Sequence, residues 1–166
     1  MSKFGNYEAL KPVNVPRRFE FSGLAPSGGD EPFMMILPAD EMNPAFLDLA
    51  LARAGDPKSP KVDINNLDAA GIEAQRQIDM EVIAKSCVTG WGNVVDMSAK
   101  KVAFSPNEAL DFFNAIPRSE FDRLRAFCRN LRNFTPAIAS AQGVELGKAV
   151  ARGSSGTSNT RRKRTA

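Results

Sequence analysis

Residues Cys87 to Asp96 read CVTGWGNVVD and set the single tryptophan of the chain between two glycines. An indole framed this way is either an exposed platform for a ligand or an anchor where one element hands over to the next, and its neighbours decide which. Upstream, from Ile72 to about Val88, Ala74, Ile78 and Val82 share one face and Ile83 and Cys87 extend it, which predicts an amphipathic helix ending at Thr89–Gly90. Glu81 and Lys85 form a favourably oriented i,i+4 pair on it. Downstream, Val94–Val95 and Val102 to Phe104 flank a polar connection containing Lys100 and Lys101, and predict a small hairpin. A large indole at that junction wedges several elements together, while the flanking glycines let the backbone turn sharply. Trp91 is therefore read as a structural anchor, which favours a scaffold over a catalyst.

Helices follow on the C-terminal side. Ser105-Pro106-Asn107-Glu108 spells a capping box with proline at the first helical position. Ala109, Leu110, Phe112, Phe113 and Ile116 supply the apolar side of that helix, and Pro117 stops it. The next segment, SEFDRLRAFCRNLRNF, has Ser119 as its expected cap and Phe121, Leu124, Cys128 and Leu131 at helical spacing, with Phe127 and Phe134 widening the face. This Phe-rich stripe reads as core. The opposite side carries Arg125, Arg129 and Arg132, which reads either as a solvated face or as a dock for an acidic partner.

On the N-terminal side, Arg17 to Leu24 alternates Phe19 and Phe21 with polar residues, APSGGDEP supplies turn chemistry, and Phe33 to Leu37 is a short apolar run, which predicts a β-hairpin with a long connection. Asn43 is then a plausible N-cap, Pro44 takes the first helical position and Gly55 closes a helix whose apolar face is Phe46, Leu47, Ala50, Leu51 and Ala54. Asp56 to Gly71 holds two prolines and scattered polar residues and reads as a long loop. The expected organisation is a flexible N-terminal arm over residues 1–16, one mainly helical α+β domain with short hairpins over 17–142, and a basic tail over 143–166.

Composition narrows the function class. With 43% hydrophobic and 25% charged residues, the 166-residue chain is globular and long enough to bury a core. No apolar run approaches the ~18 residues needed to span a bilayer, and MSKFGNYEAL lacks the apolar centre of a signal peptide, so a cytoplasmic protein is expected. The chain has no histidine, which removes Ser-His-Asp and Cys-His arrangements. Cys87 and Cys128, far apart on apolar helix faces, read as buried free thiols and leave no zinc constellation. Neither common glycine-rich phosphate cradle is present. No enzyme, cofactor or metal is expected.

The net charge of +3 is unevenly spread: Gly147 to Ala166 holds six basic residues and no acid, which leaves 16 basic against 19 acidic residues in the remainder. The tail, GKAVARGSSGTSNTRRKRTA, has the composition of a disordered segment. Its Arg161, Arg162, Lys163 and Arg164 read as a solvating terminus or as a contact for nucleic acid or an acidic protein.

The order V-x-G-W-G-x-V-x-D, a short turn with a basic residue, VAFSPNEA, a helix ending Ile116-Pro117 and an amphipathic helix closing on N-x-x-N-F resembles the tail assembly chaperones of long-tailed bacteriophages. Upstream, PFMMILPADEMNPAFLDLALAR is similar to the strand and Asn-Pro helix of many members, so the likeness spans about Arg17 to Phe134. Two features depart from it: the connection after Asp96 lacks the glycine that relatives often place there, and the Asp56 to Gly71 loop has no counterpart. The resemblance implies a small, largely helical protein that keeps the tape-measure protein soluble in the host cytoplasm until tail-tube subunits polymerise around it, and that is absent from the finished virion. It also implies the tail-tube protein, a frameshifted longer form and self-association as further partners. The rival readings are a small nucleic-acid-binding phage protein and a structural virion component; the acidic body argues against the first.

Overall fold

The structure is a computed structural model that describes residues 12–24, 29–60 and 68–136. In chain order it contains β1 (Arg17–Glu20), β2 (Phe33–Ile36), α1 (Pro44–Gly55), α2 (Ala69–Ser86), β3 (Val88–Gly92), α3 (Pro106–Ala115), α4 (Arg118–Arg129) and a closing 3-10 turn, Leu131–Phe134. Helices dominate, and the three strands form one antiparallel sheet in the order β1-β2-β3. The class is the α+β one expected from the sequence. Of the expected N-terminal arm, residues 1–11 lie outside the described residues, and Val13 donates its N–H to the Phe134 carbonyl at 2.9 Å. Residues 137–166, with the whole basic tail, also lie outside them.

The first hairpin forms where the alternation placed it, with Phe19 opposite Met34 and Glu20 opposite Phe33. The period of two sends Phe19, Met34 and Ile36 into the core. Arg18 and Phe33 share the other face, the guanidinium 3.7 Å from the ring centroid.

The stretch around Trp91 departs from expectation. The helix stops at Ser86, two residues early, and Val88–Gly92 is the third strand of the sheet rather than a glycine-hinged turn. Pairing captures it: the Leu37 N–H takes the Cys87 carbonyl at 2.8 Å, and Met34 then lies opposite Trp91 and Phe33 opposite Gly92. Gly92 serves close approach instead of turning, since a Cβ there would run into the Phe33 ring. The chain turns one residue later, at Asn93, whose φ is 60°. The hairpin expected over 94–104 shrinks to a single bridge between Val95 and Lys101.

That connection is closed by Asp96, whose Oδ1 accepts from the N–H groups of Ser98 at 2.8 Å and Lys100 at 3.0 Å. Ala99 sits in it at φ 59°, the left-handed region that glycine occupies without steric cost. Ala99→Gly is therefore expected to raise stability by about 0.5–1 kcal/mol. Denaturant titration measures this, and a midpoint equal to or below that of the parent would show the turn to be unstrained.

The caps follow the sequence at two helices and not at a third. Asn43 and Ser105 cap α1 and α3 as expected, the Ser105 hydroxyl accepting from the Glu108 N–H at 3.1 Å. At α4 the N-cap is Pro117, which makes no side-chain cap bond, and Ser119 lies inside the helix. α2 starts at Ala69 rather than Ile72 because the Asp68 carboxylate accepts from the Gly71 N–H at 2.7 Å, which shortens the expected 56–71 loop. Residues 61–67 of that loop lie outside the described residues.

The core sits between the inner face of the sheet and α2, α3 and α4. Phe21, Phe113, Phe121 and Phe134 are fully buried, joined by Met34, Ile36, Ile83, Leu124, Cys87 and Cys128. Phe19 meets Phe21 edge-on at 5.0 Å, and Phe113 meets Phe121 at 5.1 Å. The Phe stripe of α4 is thus core, as its spacing implied. Helix α2 enters the core only by its second half, its buried residues beginning at Asp79, so Ala74 and Ile78 stay half-exposed.

Candidate functional site

α1 contains no buried residue, although eight of its twelve residues are Ala, Leu or Phe. Phe46, Leu49, Ala50 and Arg53 turn towards α2 and are half-buried. Leu47 and Leu51, at i and i+4, point away and are 39% and 62% exposed, with Ala54 continuing the strip. The single apolar face expected from the sequence is therefore split, one half seated on α2 and the other left open.

Two anchors hold this helix. At its start Asn43, 1% exposed, accepts from the Phe46 N–H through Oδ1 at 3.3 Å. Its Nδ2 donates to the carbonyls of Pro38 and Ser86, both at 3.0 Å, tying α1 to the β2–α1 connection and to the end of α2. At the other end Arg53 pairs with Asp56 at 3.5 Å and with Glu81 of α2. Glu81 also receives Lys85 at 2.6 Å, the pair expected from the sequence. Its carboxyl is held below the ordinary range chiefly by the Lys85 hydrogen bond, with burial opposing and Arg53 adding.

Between the anchors a groove runs along α2. One depression of about 460 Å³ lies between Phe46 and Ala50 of α1 and Ile78, Asp79 and Val82 of α2, with Arg129 at its edge. A second, of about 490 Å³, continues over Ala74 and Ile78 towards Leu110 and Asn114 of α3. Asp56, Ser59 and Pro60 line both. Those residues form a turn in which the Ser59 N–H donates to the Asp56 carbonyl at 3.0 Å and the Lys58 N–H to Asp56 Oδ1 at 2.8 Å. An apolar floor with polar walls and this volume suits a side-chain-sized guest.

The arginine stripe does not present a free face. Arg125 donates to Asp79 at 3.0 Å and Arg129 donates to both its oxygens at 3.1 and 3.2 Å, while Gln75 adds a further bond at 3.0 Å. The acidic partner of Arg125 and Arg129 is thus a carboxylate of the same chain, and the stripe clamps α4 to α2. Arg132 stands apart on the 3-10 turn, exposed and in no ion pair among the described residues. Arg161, Arg162, Lys163 and Arg164 lie outside the described residues. Asp79 escaped the sequence reading, and its immediate apolar neighbours Ile78 and Met80 are the only local signal of a buried charge with a partner.

Trp91 is half-buried, with its Nε1–H donated to the Val102 carbonyl at 2.9 Å and its ring against Phe104 and Phe112 at 5.6 and 5.9 Å. It anchors the 102–104 segment and α3 to the edge of the sheet. Burial pushes the Cys87 thiol up to about 11 and raises Cys128 well above its ordinary value, so neither offers a thiolate near neutrality. Among the described residues no group of three His, Cys, Asp or Glu side chains could hold a metal ion, and no helix is long and apolar enough to cross a membrane.

No protein-family model, curated protein or solved structure matches this chain.

Proposed function

We propose that the protein is a phage tail assembly chaperone that binds the tape-measure protein and keeps it soluble while the tail tube is built. One observation carries the reading: α1 is a firmly anchored helix that leaves Leu47 and Leu51 open beside an apolar groove. A fold that spends a buried, fully hydrogen-bonded asparagine on holding such a helix in place has prepared a surface for another apolar element. The resemblance of Arg17 to Phe134 to tail assembly chaperones supports the identity of that element, a long helical client, the tape-measure protein, that must be shielded before assembly. The basic tail, including Arg161, Arg162, Lys163 and Arg164, recruits acidic client segments by long-range attraction that salt weakens, and Arg132 adds to that attraction at the body.

Co-expression with the tape-measure protein of the same genome tests the reading. The client is expected to become soluble and to co-purify with this chain, and a version ending at Leu146 is expected to capture it more weakly at low salt. A client equally soluble alone, with nothing co-purifying, would sink the chaperone reading. Capture unchanged by the truncation at low salt would remove the tail from the mechanism.

A further inference from the structure

We infer that the open face of α1 and the adjoining groove take an amphipathic helix whose apolar stripe is flanked by Lys or Arg, an inference that rests on the partner-binding reading of the groove proposed above. The ground is the charge around the strip. Pro38 to Ala52 contains Asp40, Glu41 and Asp48 and no basic residue, and none of these acids forms an ion pair among the described residues. Asp48 adjoins Leu47 in sequence and lies one turn before Leu51, so a negative rim borders the open leucines. Leu47 and Leu51 form a ridge of the i,i+4 kind that a second helix straddles, and Ala54, which continues the strip, also lines the groove.

Other occupants fit less well. A second copy laid symmetrically on α1 would bring two unpaired Asp48 carboxylates to one contact, where like charges are costly. The basic tail of the chain has the complementary sign, but Gly147 to Ala166 offers Val150 and no Leu, Ile, Phe or Met to fill the strip. A helix with both an apolar stripe and basic flanks satisfies the leucines and the acids together.

The test titrates the full-length chain with three labelled peptides of about 18 residues, long enough for five helical turns. The first carries leucines at i, i+3, i+4 and i+7 with lysine flanks, the second replaces the lysines by glutamates, and the third keeps the lysines but scatters the leucines off the stripe. The first is expected to bind at least tenfold more tightly than either of the others by fluorescence anisotropy. Leu51→Lys should weaken it by about tenfold or more. Because Leu51 is 62% exposed, an unchanged melting curve should confirm that the variant is folded. Asp48→Lys, a second and independent variant, should shift preference towards the glutamate-flanked peptide.

Equal binding of all three peptides, or of the first and third, would overturn the inference, as would an unaltered affinity in Leu51→Lys. Failure of the chaperone reading is distinguishable. A chain that selects the lysine-flanked helix but leaves the tape-measure protein insoluble keeps the groove chemistry and loses the client. A chain whose Leu51→Lys variant still solubilises the tape-measure protein keeps the client and loses the groove.

Discussion

Asn43→Ala is expected to lower stability by about 3 kcal/mol, which is large for a side chain of this size. About 1 kcal/mol is the lost N-cap, the acceptor for the Phe46 N–H. The remainder, roughly 1 kcal/mol each, comes from the Pro38 and Ser86 carbonyls, which lose their shared donor in a site closed to water. Asn43→Asp separates these contributions. It keeps the capping oxygen but has no donor, and it sets a carboxylate against two carbonyl oxygens, so it is expected to be no more stable than the alanine variant. Thermal and urea unfolding would measure both, and an aspartate variant as stable as the parent would show that the cap alone matters. Because Asn43 is also the start of the anchored helix, the proposed chaperone function predicts that the alanine variant captures the tape-measure protein less well even at temperatures where the core remains folded.

The second large effect is expected at Trp91. Trp91→Ala should cost about 3 kcal/mol, the lower end of the range for aromatic truncation, because the indole is only half-buried. Trp91→Phe keeps most of the contact with Phe104 and Phe112 and loses the donor to the Val102 carbonyl, so about 1 kcal/mol is expected. As this is the only tryptophan, unfolding of the variants must be followed by circular dichroism. Wild-type stability in Trp91→Ala would mean that the 102–104 segment is held without the indole, and the anchor role would fall. A platform residue would behave in the opposite way, leaving stability alone and removing binding.

Asn43 and Trp91 differ in how far the chain announces their roles. The cap at Asn43 and Pro44 was legible, because an Asn-Pro step before an apolar periodic run needs only local chemistry. The two further bonds of Asn43 were not, since Ser86 lies 43 residues away and is brought near by the fold alone. The same division runs through the arginine stripe. Its helical spacing was plain, but its partner Asp79 sits 46 and 50 residues distant, and only docking of α4 on α2 turns a candidate binding face into an internal clamp.

What the sequence by itself determined is therefore local. The first hairpin, the caps of α1 and α3, the core stripe of α4 and the α+β class follow from alternation, capping residues and helical period, which act over a few residues. The tertiary structure decided whatever depends on what lies opposite. Val88–Gly92 became a strand because β2 offered an unpaired edge, and the glycine beside Trp91 was needed under Phe33 and not for a turn. Likewise Phe46 to Ala54 is apolar on more of its surface than α2 can cover, and packing alone chose which half stays open as Leu47 and Leu51. Hydrophobic periodicity says that a surface seeks cover, and only the arrangement of neighbours says whether the chain supplies that cover itself.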